Sequence, residues 1–281
     1  MLKDFTVERD SLYEIACEAR VHKSGEEQAL MQWANIVGQM SHKYIWKRMR
    51  PGLPELQISN FFTSSIEYLA NGTNPYGNIC ACDASAASLH YMDGREQMVD
   101  GKLILIDCGA RVNMYNSDIT RTIPINGKFT PKQKEVYDIV IGAQEAVYSM
   151  VDVGVEWLDC HIESEKTVIK GLQGLGMIKK TINGKEDLEA IWKTRVVFYF
   201  YPHGLGHYMG LNTHDLPGDK AKETAPRIQG LDPINLRVTR KLEENMIFSN
   251  EPGIYFAEHL MKACKAKKEC NDLVNWDKVA E

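Results

Sequence analysis

The sequence predicts a mixed α+β fold with antiparallel strands. Two observations carry this: apolar residues recur with helical spacing in two separate blocks, and each block gives way to short apolar runs cut by turn dipeptides. The first block fills the opening seventy residues. Leu12, Ile15, Ala16 and Ala19, then Leu30, Met31, Trp33, Ala34, Val37 and Met40, repeat at three- and four-residue intervals, as a buried helical stripe requires. The stripe of residues 30–40 reads as core or, as the alternative, an interface. Pro51-Gly52 breaks the run, and Pro54-Glu55 reopens a helix through Leu56, Ile58, Phe61, Phe62, Ile66 and Leu69, which Asn71-Gly72 ends. Residues 76–91 and 102–124 read as strands, punctuated by Asp93-Gly94, Asp100-Gly101 and Asn126-Gly127. The second block starts at Thr130, an N-cap followed by Pro131 at the first helical position and by Gln133, which completes a capping box. Val136, Ile139, Val140, Ala143 and Val147 continue that helix, and another spans about Glu156 to Gly171. Strands return at Arg195–Tyr201 and Met246–Asn250, and Ala257 to Lys268 reads as a helix. There is no repeat, low-complexity segment or linker.

Composition removes several function classes. Of 281 residues, 44% are hydrophobic and 25% charged, the balance of a globular protein rather than a disordered one. The net charge of −5 argues against a protein built to coat nucleic acid or an anionic membrane. The longest purely apolar runs, Leu103–Ile106 and Val196–Tyr201, fall far short of the roughly 20 residues a spanning helix needs. The N-terminus carries no apolar signal region. Seven cysteines, an odd number without CxxC pairs, read as reduced thiols. A cytoplasmic protein with no nucleic-acid or membrane partner is expected.

The residues that carry chemistry fall in three places. Leu-Ile-Leu-Ile-Asp ends an apolar strand at Asp107, and Asp118 follows eleven residues later. Two carboxylates on neighbouring hairpin strands repel unless a cation lies between them. On this pair alone, a solvated hairpin with incidental acids and a metal site both stand. Next, Tyr201-Pro202-His203-Gly204-Leu205-Gly206-His207 sets two imidazoles four apart, with His214 seven residues beyond. The proline and glycines rule out the helical HExxH arrangement. Last, Ser249-Asn250-Glu251-Pro252-Gly253-Ile254-Tyr255 ends a strand on an acid at a Pro-Gly turn.

In this order and spacing, the three motifs resemble the M24 metallopeptidases, the pita-bread fold of methionine aminopeptidase, aminopeptidase P and prolidase. Within that family the sequence looks most like prolidase, the Xaa-Pro dipeptidase. Supporting stretches are Tyr76 to Cys82, Ser88-Leu89-His90-Tyr91, residues 126–130, and Arg237 fourteen residues before Glu251. The resemblance covers residues 12–281 as one catalytic domain, with 1–11 as an N-terminal extension. It implies a pseudo-twofold antiparallel sheet covered by helices. Asp107, Asp118, His207 and Glu251 would be metal ligands, with Asp118 bridging two divalent ions. His90, His203 and His214 would line the substrate pocket and serve catalysis, and Arg237 would grip a substrate carboxylate, a task suited to a guanidinium fork. Tyr76 would support the metal site. Mn²⁺ suits the oxygen-rich donor set, with Co²⁺ or Zn²⁺ as options.

The implied reaction is hydrolysis of the Xaa-Pro bond of dipeptides by a metal-bound hydroxide. Its partners would be a dipeptide or short peptide with proline second. An aminopeptidase P specificity is the other catalytic option. The family's N-terminal domain and its second ligand Glu, in a Gly-Val-Arg-Ile-Glu strand, find no counterpart in these residues. The chain therefore reads as ending before the last strands, which leaves one ion in doubt and makes a catalytically weak or inactive binding module a further alternative. The oligomeric state stays open, a homodimer among the options.

Overall fold

A computed structural model describes residues 11–216 and 236–281. The sequence-expected extension 1–11 lies, apart from Ser11, outside the described residues. Helix α1 (Ser11–Glu18) comes first, but the stripe read from Leu12 and Ile15 is not buried: these residues are 71% and 64% exposed. Only its far end docks, where Cys17 packs with Val21 against Trp157 and Leu242. Helix α2 (Gly25–Trp46) starts on a capping box in which Ser24 accepts from the Glu27 N–H and the Glu27 side chain accepts from the Ser24 N–H. Its inner face, Met31, Ala34, Val37, Gly38, Ser41, His42 and Ile45, packs on Ile58, Phe62 and Ile66 of α3 (Glu55–Ala70). The 30–40 stripe is wider than the buried face, leaving Trp33 and Met40 each 44% exposed.

The first sheet is antiparallel, in the order β1 (Ile79–Cys82), β2 (Leu103–Asp107), β5 (Thr120–Pro124). The strand expected over 76–91 is therefore shorter. After Cys82 the chain turns into a 3₁₀ helix, Asp83–Ala87, at a positive-φ Asp83. Along β2 the period of two decides where chemistry points. Ile104 and Ile106 enter the core, while Leu103, Leu105 and Asp107 line a cleft on the other face. Between β2 and β5 a small hairpin, β3 (Arg111–Val112) and β4 (Tyr115–Asn116), turns on Asn113 and Met114, both at positive φ.

In the second half, α4 (Pro131–Met150) begins at the Thr130–Gln133 capping box the sequence predicts. It lies so close to α5 (Trp157–Gly174) that a Cβ on Gly171 would sit 2.5 Å from Ile139. A short hairpin, β6 (Thr181–Ile182) and β7 (Lys185–Glu186), leads into α6 (Leu188–Lys193). The expected strand at 195–201 is instead a 3₁₀ helix, Val196–Tyr199. Arg195 adopts φ 62°, and its guanidinium grips the buried Glu165 of α5, so the apolar run coils against α5 rather than extending. The expected strand at 246–250 is an irregular ribbon. Residues 205–209 pair antiparallel with 247–251 through Met209 N–H to Ile247 C=O, Ser249 N–H to His207 C=O and Glu251 N–H to Leu205 C=O. Helices α7 (Glu258–Ala266), α8 (Lys268–Asn271) and α9 (Trp276–Ala280) close this half over Leu172, Trp192 and Phe200. The two halves face each other across the cleft.

Candidate metal centre

Each half contributes one antiparallel unit to the site. From the first sheet, Asp107 ends β2 and Asp118 stands two residues before β5. Their backbones are tied by the Cys108 N–H bond to Ile119 C=O at 3.2 Å. His42 backs this junction. Its Nε2 lies 3.1 Å from the Cys108 carbonyl, and since a carbonyl only accepts, Nε2 carries the proton. From the second unit come His207 and, across the ribbon, Glu251. Gly206 permits the pairing, because a Cβ there would lie 2.1 Å from the Ser249 carbonyl oxygen.

The four residues meet. His207 Nε2 is 3.2 Å from Asp118 Oδ2 and 3.3 Å from Glu251 Oε1. Tyr76 links the two aspartates, its hydroxyl lying 2.7 Å from Asp107 Oδ1 and 2.8 Å from Asp118 Oδ1. Ser249 donates to Glu251 Oε1 at 2.7 Å. The His207 tautomer is fixed from behind: Nδ1 is 3.0 Å from the Tyr208 carbonyl and must donate to it. Nε2 is then left with a lone pair aimed at two carboxylate oxygens. That contact is repulsive unless a proton or a cation lies between.

The electrostatics say the same. Burial and the neighbouring Asp118 push Asp107 up to about 7. Burial also lifts Glu251 to about 7, against the pull of the His207 charge. Burial acts against ionisation of Asp118 too, but the hydrogen bond and charge of His207 hold it below the usual carboxylate range. His207, despite its own burial, is raised by Asp118 and Glu251. Acids that keep protons near neutrality mark a cluster with too much negative charge for its burial. Three carboxylates and one imidazole nitrogen form a donor set that fits a hard or borderline divalent cation and not a soft thiolate metal. Among the described residues no group of three or more such side chains is already spread around an open ion position. The donors lie against one another instead, with Tyr76 and Ser249 bonded to the carboxylate oxygens.

The other expected residues border the same cleft. His203 Nδ1 lies 2.9 Å from the Gly204 carbonyl, so Nδ1 donates and Nε2 accepts from the Tyr255 hydroxyl at 3.1 Å. Burial pushes His203 down to about 4. Burial, then the charges of His207 and Arg237, does the same for His214. Both rings are therefore neutral at neutral pH. His214 stands edge-on to His207 with centroids 4.3 Å apart. Arg237 and the exposed His90 complete the rim. Sequence reasoning gave no role to Ser249, Tyr255 or His42. Ser249 was legible, since it shares a face with Glu251 at strand period. Nothing local to His42 announced a contact with residue 108.

Comparison with known proteins places this geometry. The model of metallopeptidase family M24 matches residues 29–273. A probable Xaa-Pro aminopeptidase of Botryotinia fuckeliana is 40% identical over 263 residues, covering 92% of this chain and 54% of the relative. Aminopeptidase PepP of Pseudomonas aeruginosa superposes with TM-score 0.75 at 31% identity, over 88% of this chain and 51% of that one. A zinc-substituted Escherichia coli aminopeptidase P in complex with product superposes with TM-score 0.73 at 31% identity, over 86% and 50%. The chain spans about half the length of the curated relatives it matches. The fold is thus the pita-bread fold that the motifs implied. The relatives, however, carry the name of Xaa-Pro aminopeptidases and not of dipeptidases, which favours the other catalytic option raised by the sequence. With the family model matching residues 29–273 and the structural match covering 88% of its length, the chain belongs to metallopeptidase family M24.

Proposed function

We propose that this chain is the catalytic part of a metal-dependent Xaa-Pro aminopeptidase, which removes the N-terminal residue of peptides with proline second. One observation carries the reading: Asp118, His207 and Glu251 touch, and Tyr76 joins Asp107 to them. The names of the relatives support the aminopeptidase specificity over the dipeptidase one. Asp107, Asp118, His207 and Glu251 would hold the metal, manganese by donor chemistry, with cobalt or zinc as substitutes. When bound, divalent ions supply Lewis-acid polarisation and an activated water.

The chain's own groups do the rest. The Tyr208 carbonyl keeps the proton on His207 Nδ1, so Nε2 stays a donor to the metal. Neutral His203, with Nδ1–H committed to Gly204, accepts from the Tyr255 hydroxyl at Nε2, which leaves a basic nitrogen on the cleft wall able to take up a proton. His214 and His90 flank the reacting bond, and the Arg237 guanidinium attracts the negative end of the substrate. Seven cysteines without a disulfide support a reducing, cytoplasmic setting. No helix among the described residues is long and apolar enough to cross a membrane.

The test is hydrolysis of Ala-Pro-Ala and of Ala-Pro by the 281-residue chain with added Mn²⁺, Co²⁺ or Zn²⁺. Release of alanine from the tripeptide, absent in Asp118→Asn, is expected. Cleavage of the dipeptide alone would return the prolidase specificity. Metal binding without hydrolysis of either peptide would refute the enzyme reading in favour of a binding module.

A further inference from the structure

We infer that Asp215, gripped by Lys23 and Arg20, is a positioning residue that holds His214 against His207; this rests on the peptidase reading of the site. Asp215 follows His214 directly and is 3% exposed. Lys23 Nζ lies 3.1 Å from its Oδ2, and the lysine side chain is itself only 2% exposed. Arg20 Nη2 donates to Oδ1, and the Asn212 N–H donates to the same oxygen at 3.1 Å. A lysine buried this far is costly unless its ammonium is satisfied. Here it also donates to the Arg20 carbonyl at 2.5 Å.

The cations come from a segment more than 190 residues away in sequence, ahead of the region matched by the family model. That segment is fixed in turn, with Lys23 N–H bonded to Asn245 C=O at 2.9 Å and His22 bridged to Met246. The far side of the histidine loop is tied to the carboxylate-bearing hairpin. Asn116, two residues before Asp118, donates its N–H to Gly210 C=O at 3.1 Å and its side-chain amide to Leu211 C=O at 3.0 Å. Asp215 N–H closes the loop onto Tyr208 C=O at 3.0 Å. Gly210 is required for this closure, since a Cβ there would sit 2.4 Å from Asp215 Oδ2. The carboxylate is thus tucked under its own loop and clamped from outside. The His214 ring, one residue away, inherits its place edge-on to His207 from that clamp.

The double variant Lys23→Met/Asp215→Asn removes both fully buried charges together and leaves only Arg20, whose side chain is 32% exposed, without its carboxylate. Arg20→Gln, at a side chain 32% exposed, is the milder second probe, and Arg20→Lys is its conservative rescue. In the full chain with ¹⁵N-labelled histidine, with and without Zn²⁺, the His214 ring signal (assigned by its loss in His214→Ala) should broaden or split in the double variant, while that of His42 stays put. On Ala-Pro-Ala, kcat should fall by about tenfold with KM changed less than about twofold, the scale of a lost positioning contact. In the His214→Ala background the same pair of substitutions should cost less than about twofold, because the clamp acts through that ring. A folded double variant with an unchanged His214 signal, or equal losses with and without His214, would overturn the inference. If the parent chain hydrolyses no peptide, the peptidase reading falls, and the ring signal alone decides the clamp.

Discussion

Loading the site with a divalent cation should release protons, and its affinity should climb steeply between pH 6 and pH 8. Asp107 and Glu251 both hold protons up to about 7 in the metal-free chain, the first through burial and Asp118, the second chiefly through burial. A metal needs them ionised, so each proton competes with it. An acid with pKa 7 weakens metal binding by a factor of 1 + 10^(7 − pH), about 11 at pH 6 and about 1.1 at pH 8. Asp107 alone therefore gives about a tenfold gain over this range, and two such acids about a hundredfold. The Glu251 side chain is 38% exposed, so water offsets part of its shift and the expected gain lies between about tenfold and about a hundredfold. The raised affinity of His207 for its proton adds to the release in the same direction. Isothermal titration with Mn²⁺ or Zn²⁺ in buffers of different ionisation enthalpy reads both quantities. About one proton or more should leave at pH 7 and fewer at pH 9. Glu251→Gln should flatten the slope. An affinity that stays constant from pH 6 to pH 8, with no proton released, would refute the argument, because the acids would then be ionised already or would not bind the metal.

Two other substitutions test the scaffold. Gly206→Ala places a methyl group 2.1 Å from the Ser249 carbonyl oxygen, so the ribbon must part and take Glu251 away from His207. Metal stoichiometry by atomic absorption should drop while the far-ultraviolet circular dichroism stays close to that of the parent. Full metal content in the variant would show that the two backbones need not close. Glu165→Gln breaks a buried pair in which Arg195 donates at 2.8 and 3.0 Å and Trp192 Nε1 at 2.7 Å. Loss of about 3–5 kcal/mol is expected in urea denaturation at pH 7. Burial opposes ionisation of Glu165, yet His161 and Arg195 hold it down to about 2. Its contribution is therefore present above about pH 4.5 and lost as pH falls toward 2, so parent and variant should converge in acid. Asp107, shifted upward, acts in the opposite sense: the metal-free chain loses stability as pH rises from about 4 toward 7.

By itself, the sequence determined the helices whose ends are written in local chemistry. The Thr130–Gln133 capping box sits where it was read, because its two hydrogen bonds close within one turn. The order and spacing of Asp107, Asp118, His207 and Glu251 also singled out four residues that the structure brings together. Local patterning failed where a distant partner outweighed it. Val196 to Tyr201 has the composition of a strand, yet Glu165, thirty residues upstream of Arg195, draws that residue into a left-handed turn and the run coils. The α2 stripe reads as core or an interface, and α3 and the first sheet cover only part of it, leaving Trp33 and Met40 each 44% exposed. Only the tertiary structure decided that Lys23 and Arg20 reach Asp215, and that His42 stands behind Cys108. Each such contact joins residues far apart in the chain, and no periodicity or spacing encodes it. Its energy arises from burying charge and polar groups together, which happens only once those distant segments have packed.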